Sequence, residues 1–156
     1  MDYKELIEAF AVTHGIDGLD VVDGTAALDI DGMRVAFLHD ANARALVLLG
    51  EIGAPPPGTD GRFCALLMRA NHLFRGSDGA TFAQDPETQG YVLLRSLPLA
   101  LLDAGTLADA VQAFANTLER WRRVLADFRP ADEAANVPSE PGEETMPFGA
   151  SGFISV

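Results

Sequence analysis

Residues 91–129 constrain the fold more tightly than any other part of this chain. An apolar run from Tyr91 to Leu97 meets Pro98, and a long helix follows. In that helix Leu107, Val111, Phe114, Leu118, Trp121, Leu125 and Phe128 recur at alternating steps of four and three. Such spacing draws one continuous apolar stripe down a helix. The stripe could belong to a coiled coil, but the flanking positions hold Ala108, Ala115 and Arg122 on one side and Ala110, Thr117 and Val124 on the other. Apart from Arg122 these are small or apolar instead of oppositely charged, so the stripe is wide. The pattern predicts a helix lying as a lid on its own sheet.

At 156 residues with 48% hydrophobic content, the chain is long enough for one domain that buries roughly 70% of its unfolded surface. Its net charge of -12 disfavours nucleic acid and anionic membranes, because both need basic surface. A lone Cys64 excludes a disulfide framework within one chain and suits a reducing compartment. The acidic start has no long apolar run, and no stretch reaches a membrane span. The expectation is a cytoplasmic protein without membrane insertion.

The remaining elements follow from local signals. Residues 3–14 read as a helix with Tyr3, Leu6, Ile7 and Phe10 on one face; Asp2 caps it, Glu5 reciprocates and Gly15 ends it. Three strands follow at 25–31, 33–39 and 43–52, the first two joined by the hairpin dipeptide Asp31-Gly32. Pro55, Pro56 and Pro57 mark a loop. A second helix is expected over 62–75 with Gly76 as its stop, then a strand pair at 80–84 and 90–97, then the long helix from a Thr106 cap. Residues 130–156 differ: five acids, no Lys or Arg, and Pro130, Pro138, Pro141 and Pro147 predict an acidic tail, disordered in its first half. Its end, residues 146–156, is apolar enough to dock in a groove. The prediction is an α+β domain over 1–129, an antiparallel twisted sheet flanked by three helices in the order α-βββ-α-ββ-α.

Catalytic and metal signatures are weak. His14, His39 and His72 have no partner at metal-ligand spacing, and Cys64 sits in an apolar helix as a small hydrophobe would. The Asp29, Asp31 and Gly32 cluster lacks the ligand series of a calcium loop. Arg120, Arg122 and Arg123 are placed for local ion pairs near a helix end. Neither a phosphate-binding loop nor a nucleophile elbow is present. The sequence predicts no cofactor and no enzyme.

What needs explaining is the sheet. In the third strand Ala45, Val47 and Leu49 oppose Leu46 and Leu48; later, Tyr91, Leu93 and Leu97 oppose Val92 and Leu94. Both faces are apolar, so both require cover. The first and third helices can cover one face. The second helix, a second subunit or a bound partner must cover the other.

The order of elements resembles the class I type III secretion chaperones, the Tir-chaperone-like family of small acidic bacterial proteins. The resemblance rests on the opening helix with Leu6 and Phe10, the strand-turn-strand from Leu28 to Val35, the helix from Phe63 to Phe74, and the strand of residues 90–99 running into the last helix. It implies a homodimer that uses no nucleotide. It also implies a partner: the N-terminal segment of one secreted effector, held extended in apolar grooves and paired at a sheet edge. Carried onto this chain, the effector-binding residues are Leu6, Phe10, Leu28, Val35, Phe37 and Leu46. The dimer residues are Phe63, Leu67, Ala70, Phe74, Val92 and Leu94. The same fold could serve as a module that sequesters a regulator, and a ligand-binding protein with a pocket between sheet and second helix is the reading from another class.

Overall fold

The structure, a computed structural model, describes residues 1–129. The elements are α1 (Tyr3–His14), β1 (Thr25–Ile30), β2 (Met33–Asp40), β3 (Ala45–Gly53), α2 (Asp60–Asn71), β4 (Thr81–Gln84), β5 (Tyr91–Pro98) and α3 (Ala104–Asp127), with single 3-10 turns at His72–Phe74 and Leu99–Leu101. The strands form one antiparallel sheet in the order β1-β2-β3-β5-β4. The predicted α+β class and order of elements hold.

Local chemistry explains most boundaries. The Asp2 carboxylate accepts the Glu5 amide (2.9 Å) while Glu5 accepts the Asp2 amide (2.8 Å), and Gly15 closes α1 in the left-handed region at φ 63°. Asp31 and Gly32 both adopt positive φ (49° and 77°), which pins the β1–β2 register through Ile30 opposite Met33. At α3 the cap is Asp103, one turn earlier than expected. Its carboxylate accepts the Thr106 amide (2.8 Å), and the Thr106 hydroxyl accepts the Asp103 amide (2.8 Å). Thr106 is therefore the reciprocal partner at the third helical position, and the carboxylate takes the capping role.

α2 also departs from expectation. It starts at Asp60 and ends at Asn71, and Leu73 and Phe74 sit at φ 52° and 56°. Positive φ strains a bulky residue and holds only where the surroundings impose it. Here the Asn71 amide leaves the helix to bond the Phe82 backbone on both sides, donating to its carbonyl (3.2 Å) and accepting its N–H (2.9 Å). Gly76 then folds back against Ala70, where a Cβ would come within 2.7 Å. Its carbonyl accepts the Trp121 indole N–H (2.8 Å) and an Arg120 N–H (3.1 Å). Gly76 allows this return; the helix has already ended.

The core lies on one face of the sheet. Cross-strand register puts Leu28, Val35, Gly50, Leu93 and Phe82 on the same side. Against it pack Leu6 and Phe10 of α1, Phe63 and Leu67 of α2, and Leu107, Phe114, Leu118 and Trp121 of α3. Phe63 makes edge contacts with Tyr91 (5.3 Å) and Phe128 (5.1 Å), tying α2 to the sheet and to the end of α3. Gly50 lets α3 approach closely, since a Cβ there would meet Leu118 Cδ2 at 2.4 Å. α3 is a lid on its own sheet, as its wide stripe predicts.

Candidate partner-binding site

Because α1, α2 and α3 sit on one side, the opposite face carries no helix among the described residues. α2 does not cover it, so the simplest way of covering both faces with the chain's own helices is not used. Register draws the exposed face in rows. Ala27, Ala36, Leu49 and Leu94 lie side by side across β1, β2, β3 and β5. Leu38 and Val47 form the next row, and Val92 stands beside Ala83 on β4. Most of these are half-buried. Charged groups rim the patch: Asp29 and Arg34 pair at 3.9 Å with both side chains mostly exposed, and Glu51 is exposed. An apolar centre with a polar rim is the anatomy of a protein-binding surface.

The two sheet edges differ. At β4 the outward backbone groups of Phe82 are consumed by Asn71, which blocks further strand addition. At β1, Thr25 bonds outward to Val22 in both directions (2.8 and 2.9 Å). Antiparallel alternation then points the N–H and C=O of Ala27 and Asp29 away from β2. Among the described residues neither has a backbone partner on that side. β1 is an open edge, contiguous with the apolar face.

A second exposed apolar element follows α2. Met68, Leu73 and Phe74 are 51%, 67% and 55% exposed. Two of them stand on the strained turn, so the backbone is held in an unfavourable conformation that presents them to solvent.

The structure sorts the sequence-derived residues by depth. Leu6, Phe10, Val35, Phe37 and Leu46 are fully buried beneath α1 and α3, on the helix-covered face, and Leu28 is half-buried there. They form the floor that supports the sheet and offer no surface in this state. The outward residues one step along the same strands, Ala27, Ala36, Leu38, Val47 and Leu49, are the ones brought together as a patch. Of the second set, Phe63 and Leu67 are core, Ala70 is half-buried against Gly76, and Val92 is mostly covered. Phe74 and Leu94 present surface, joined by Met68 and Leu73, which sequence reasoning missed.

The electrostatics are structural in character. Tyr3, stacked on His39 (4.9 Å) and donating to the Phe37 carbonyl (2.7 Å), has its pKa pushed up to about 12, chiefly by burial. Burial, then its bond to the Asp60 carboxylate (3.0 Å), raises Tyr91 as well. Asp78 is held below the usual carboxylate range by the Thr117 hydroxyl (3.0 Å) and the Arg120 guanidinium (2.9 Å), which staple the β4 approach to α3. Among the described residues no group of three His, Cys, Asp or Glu could hold a metal, and no helix is long and apolar enough to cross a membrane.

A helix-backed antiparallel sheet with one bare apolar face, one blocked edge and one open edge defines a protein-binding module. The sequence model of the Tir chaperone protein (CesT) family matches residues 5–122, and the chain belongs to that family. Solved structures agree on the fold. A chain of the HopA1–SchA chaperone–effector complex superposes with a TM-score of 0.64 at 24% identity, over 78% of this chain and 93% of that one. A chain of the ExsC–ExsE complex gives 0.66 at 22% identity, over 80% and 97%. A chain of the heterodimeric ExoU–SpcU complex from the type III secretion system of Pseudomonas aeruginosa gives 0.59 at 19% identity, over 76% and 93%. No curated protein matches the chain in sequence.

Proposed function

We propose that this chain is a type III secretion chaperone. It binds the N-terminal segment of a cognate effector in extended form and keeps that protein soluble and competent for export. The observation that carries this reading is the bare apolar face running into the open β1 edge, in a member of a chaperone family whose solved relatives include chaperone–effector complexes. An extended segment takes backbone pairing from Ala27 and Asp29 at the β1 edge, and the part of the partner that continues across the bare face packs on Ala36, Leu38, Val47 and Leu49. Leu6, Phe10, Leu28, Val35, Phe37 and Leu46 hold that surface rigid from below. The effector's apolar residues are masked without any covalent step, so the protein is not an enzyme and acts in the cytoplasm.

The protein works as a homodimer in this reading. Phe74, with Leu73 and Met68, anchors the contact, joined by the β5 side of the sheet through Val92 and Leu94. Phe63, Leu67 and Ala70 fix α2 in place behind it. A strained, exposed aromatic turn is stabilised once a second copy covers it. The test is co-expression with the N-terminal segments of proteins exported by the type III apparatus of the same cell, followed by sedimentation of the purified product. A dimer that copurifies with one such segment is expected. A monomer at micromolar concentration that retains none of them contradicts the proposal.

A further inference from the structure

We propose, resting on the chaperone reading, that the partner segment which adds to the β1 edge is basic. It sets Lys or Arg opposite Asp29, an apolar residue opposite Ala27, and further Lys or Arg where it leaves past the turn at Val22 and Asp23. Charge is spread unevenly over this chain. Residues 1–60 hold eleven Asp and Glu against three Lys and Arg, whereas residues 61–129 hold seven against eight. From residue 5 to residue 33, the stretch that contains β1, there are seven acids and neither Lys nor Arg.

The edge itself shows where those charges act. Asp29 points its N–H and C=O away from β2, and its side chain lies on the bare face with that of Ala27. Its ion pair with Arg34 spans 3.9 Å with the two side chains 73% and 71% exposed, too loose to occupy the carboxylate fully. One step past the Val35–Gly50 pair, Arg34 stands between Asp29 and the exposed Glu51, so one cation faces two carboxylates. At the other end of β1, Val22 bonds Thr25 from the open side and is 65% exposed, with exposed Asp20 and Asp23 flanking it in sequence. Asp31 is exposed at the hairpin tip. Among the described residues, the side chains of Asp20, Asp23 and Asp31 have no partner.

This spacing decides the occupant. A metal ion needs ligands converging on one point, and among the described residues no three His, Cys, Asp or Glu do so. A second copy pairing through its own β1 edge brings the same acids, and like charges opposite one another on neighbouring strands destabilise the pair. A strand with Lys or Arg at alternate positions meets Asp29 across the ladder. It takes the free N–H and C=O of Ala27 and Asp29 and keeps an apolar residue beside Ala27 on the bare face. Each exposed pair of opposite charge contributes about 2- to 5-fold in affinity. The field of the acidic half also speeds encounter at low salt. The edge thus selects basic extended segments over acidic ones, with no pocket for a particular side chain.

Two labelled peptides test this on the full chain. Both have the centre Thr-Val-Thr-Val-Thr, and they carry either three Lys or three Glu on each side. In anisotropy titrations at about 50 mM salt the Lys peptide should bind at least about 10-fold tighter, with the gap closing toward about 500 mM. It should also slow exchange of the Ala27 and Asp29 amides. Asp29→Asn, and separately the pair Asp20→Asn and Asp23→Asn, should each weaken the Lys peptide by about 2- to 5-fold, and Asp29→Lys should shift preference toward the Glu peptide. Glu87→Gln with Asp109→Asn, two exposed acids away from β1, should change neither affinity. Equal weakening by that control pair would mean diffuse attraction to an acidic protein and overturns the proposal. So does a Lys peptide that binds no tighter than the Glu peptide, or one that leaves both amides unprotected. The chaperone reading is judged separately by capture of an effector segment, and it stands if a captured segment protects those amides without a preference for charge.

Discussion

Leu48 and Leu38 test the one-sided sheet with identical chemistry on opposite faces. Leu48 is 0% exposed, beside Phe37 and beneath the helices. Leu48→Ala removes its transfer energy and leaves a cavity the rigid layers cannot close, which costs about 3 kcal/mol within a range of roughly 2–5. Leu38 stands on the bare face opposite Val47, half-buried and with no helix over it among the described residues. No layer above it leaves a cavity, so Leu38→Ala costs about 1 kcal/mol of transfer energy. For a domain of this size the first change lowers Tm by roughly 10 °C and the second by about 3–4 °C. Thermal and urea unfolding of the purified, effector-free protein measures both. Binding should invert the order: Leu38→Ala weakens effector affinity by about 5–30-fold, a loss of ~1–2 kcal/mol, while refolded Leu48→Ala keeps it. Equal destabilisation by the two substitutions would mean that the outer face is already covered, and the reasoning would fail.

Gly50→Ala drives a methyl into Leu118 and should cost about 1–3 kcal/mol by overpacking, partly recovered in a Gly50→Ala, Leu118→Val double variant; chemical denaturation reads both. Asn71→Leu unties the β4 edge and leaves the Phe82 N–H and C=O without their partner. A loss of about 1–3 kcal/mol with faster exchange of the Phe82 amide is expected, and unchanged exchange would refute the assignment. Phe74→Ser should shift the sedimentation equilibrium toward monomer without lowering monomer stability, since its strained turn loses an exposed ring. Asp78 has a depressed folded-state pKa, so its contribution is fully present above the ordinary carboxylate pKa and is lost as pH falls through the lower folded value. Unfolding free energies between about pH 5 and pH 2 should show this component in the wild type and lack it in Asp78→Asn.

The sequence was most legible where the chemistry is local. The reciprocal cap of Asp2 and Glu5 with Gly15 delimits α1, and Asp31-Gly32 fixes a hairpin and its register. The α3 stripe names the core residues Leu107 to Trp121. α2 was misread at its end because Leu73 and Phe74 keep helical periodicity. What breaks the helix is an amide bonded to a strand eleven residues away, a contact that no local pattern encodes. The same limit governs the site. Alternation along β2 and β3 shows two apolar faces, but not which one the helices choose. Leu6, Phe10, Val35 and Phe37 are therefore good core residues, while Ala36, Leu38, Val47 and Leu49 carry the surface. The clue was present in β3, where Val47 and Leu49 have no helical stripe left to cover them once α1 and α3 have packed against Leu46 and Leu48.

The most direct test of the central claim is amide exchange of the full chain with and without the N-terminal segment of an effector that it binds. The outward Ala27 and Asp29 amides should exchange freely in the unbound protein and become strongly protected in the complex, together with slower opening along β2 around Ala36 and Leu38. A stable complex in which those two amides exchange as fast as before would contradict the account.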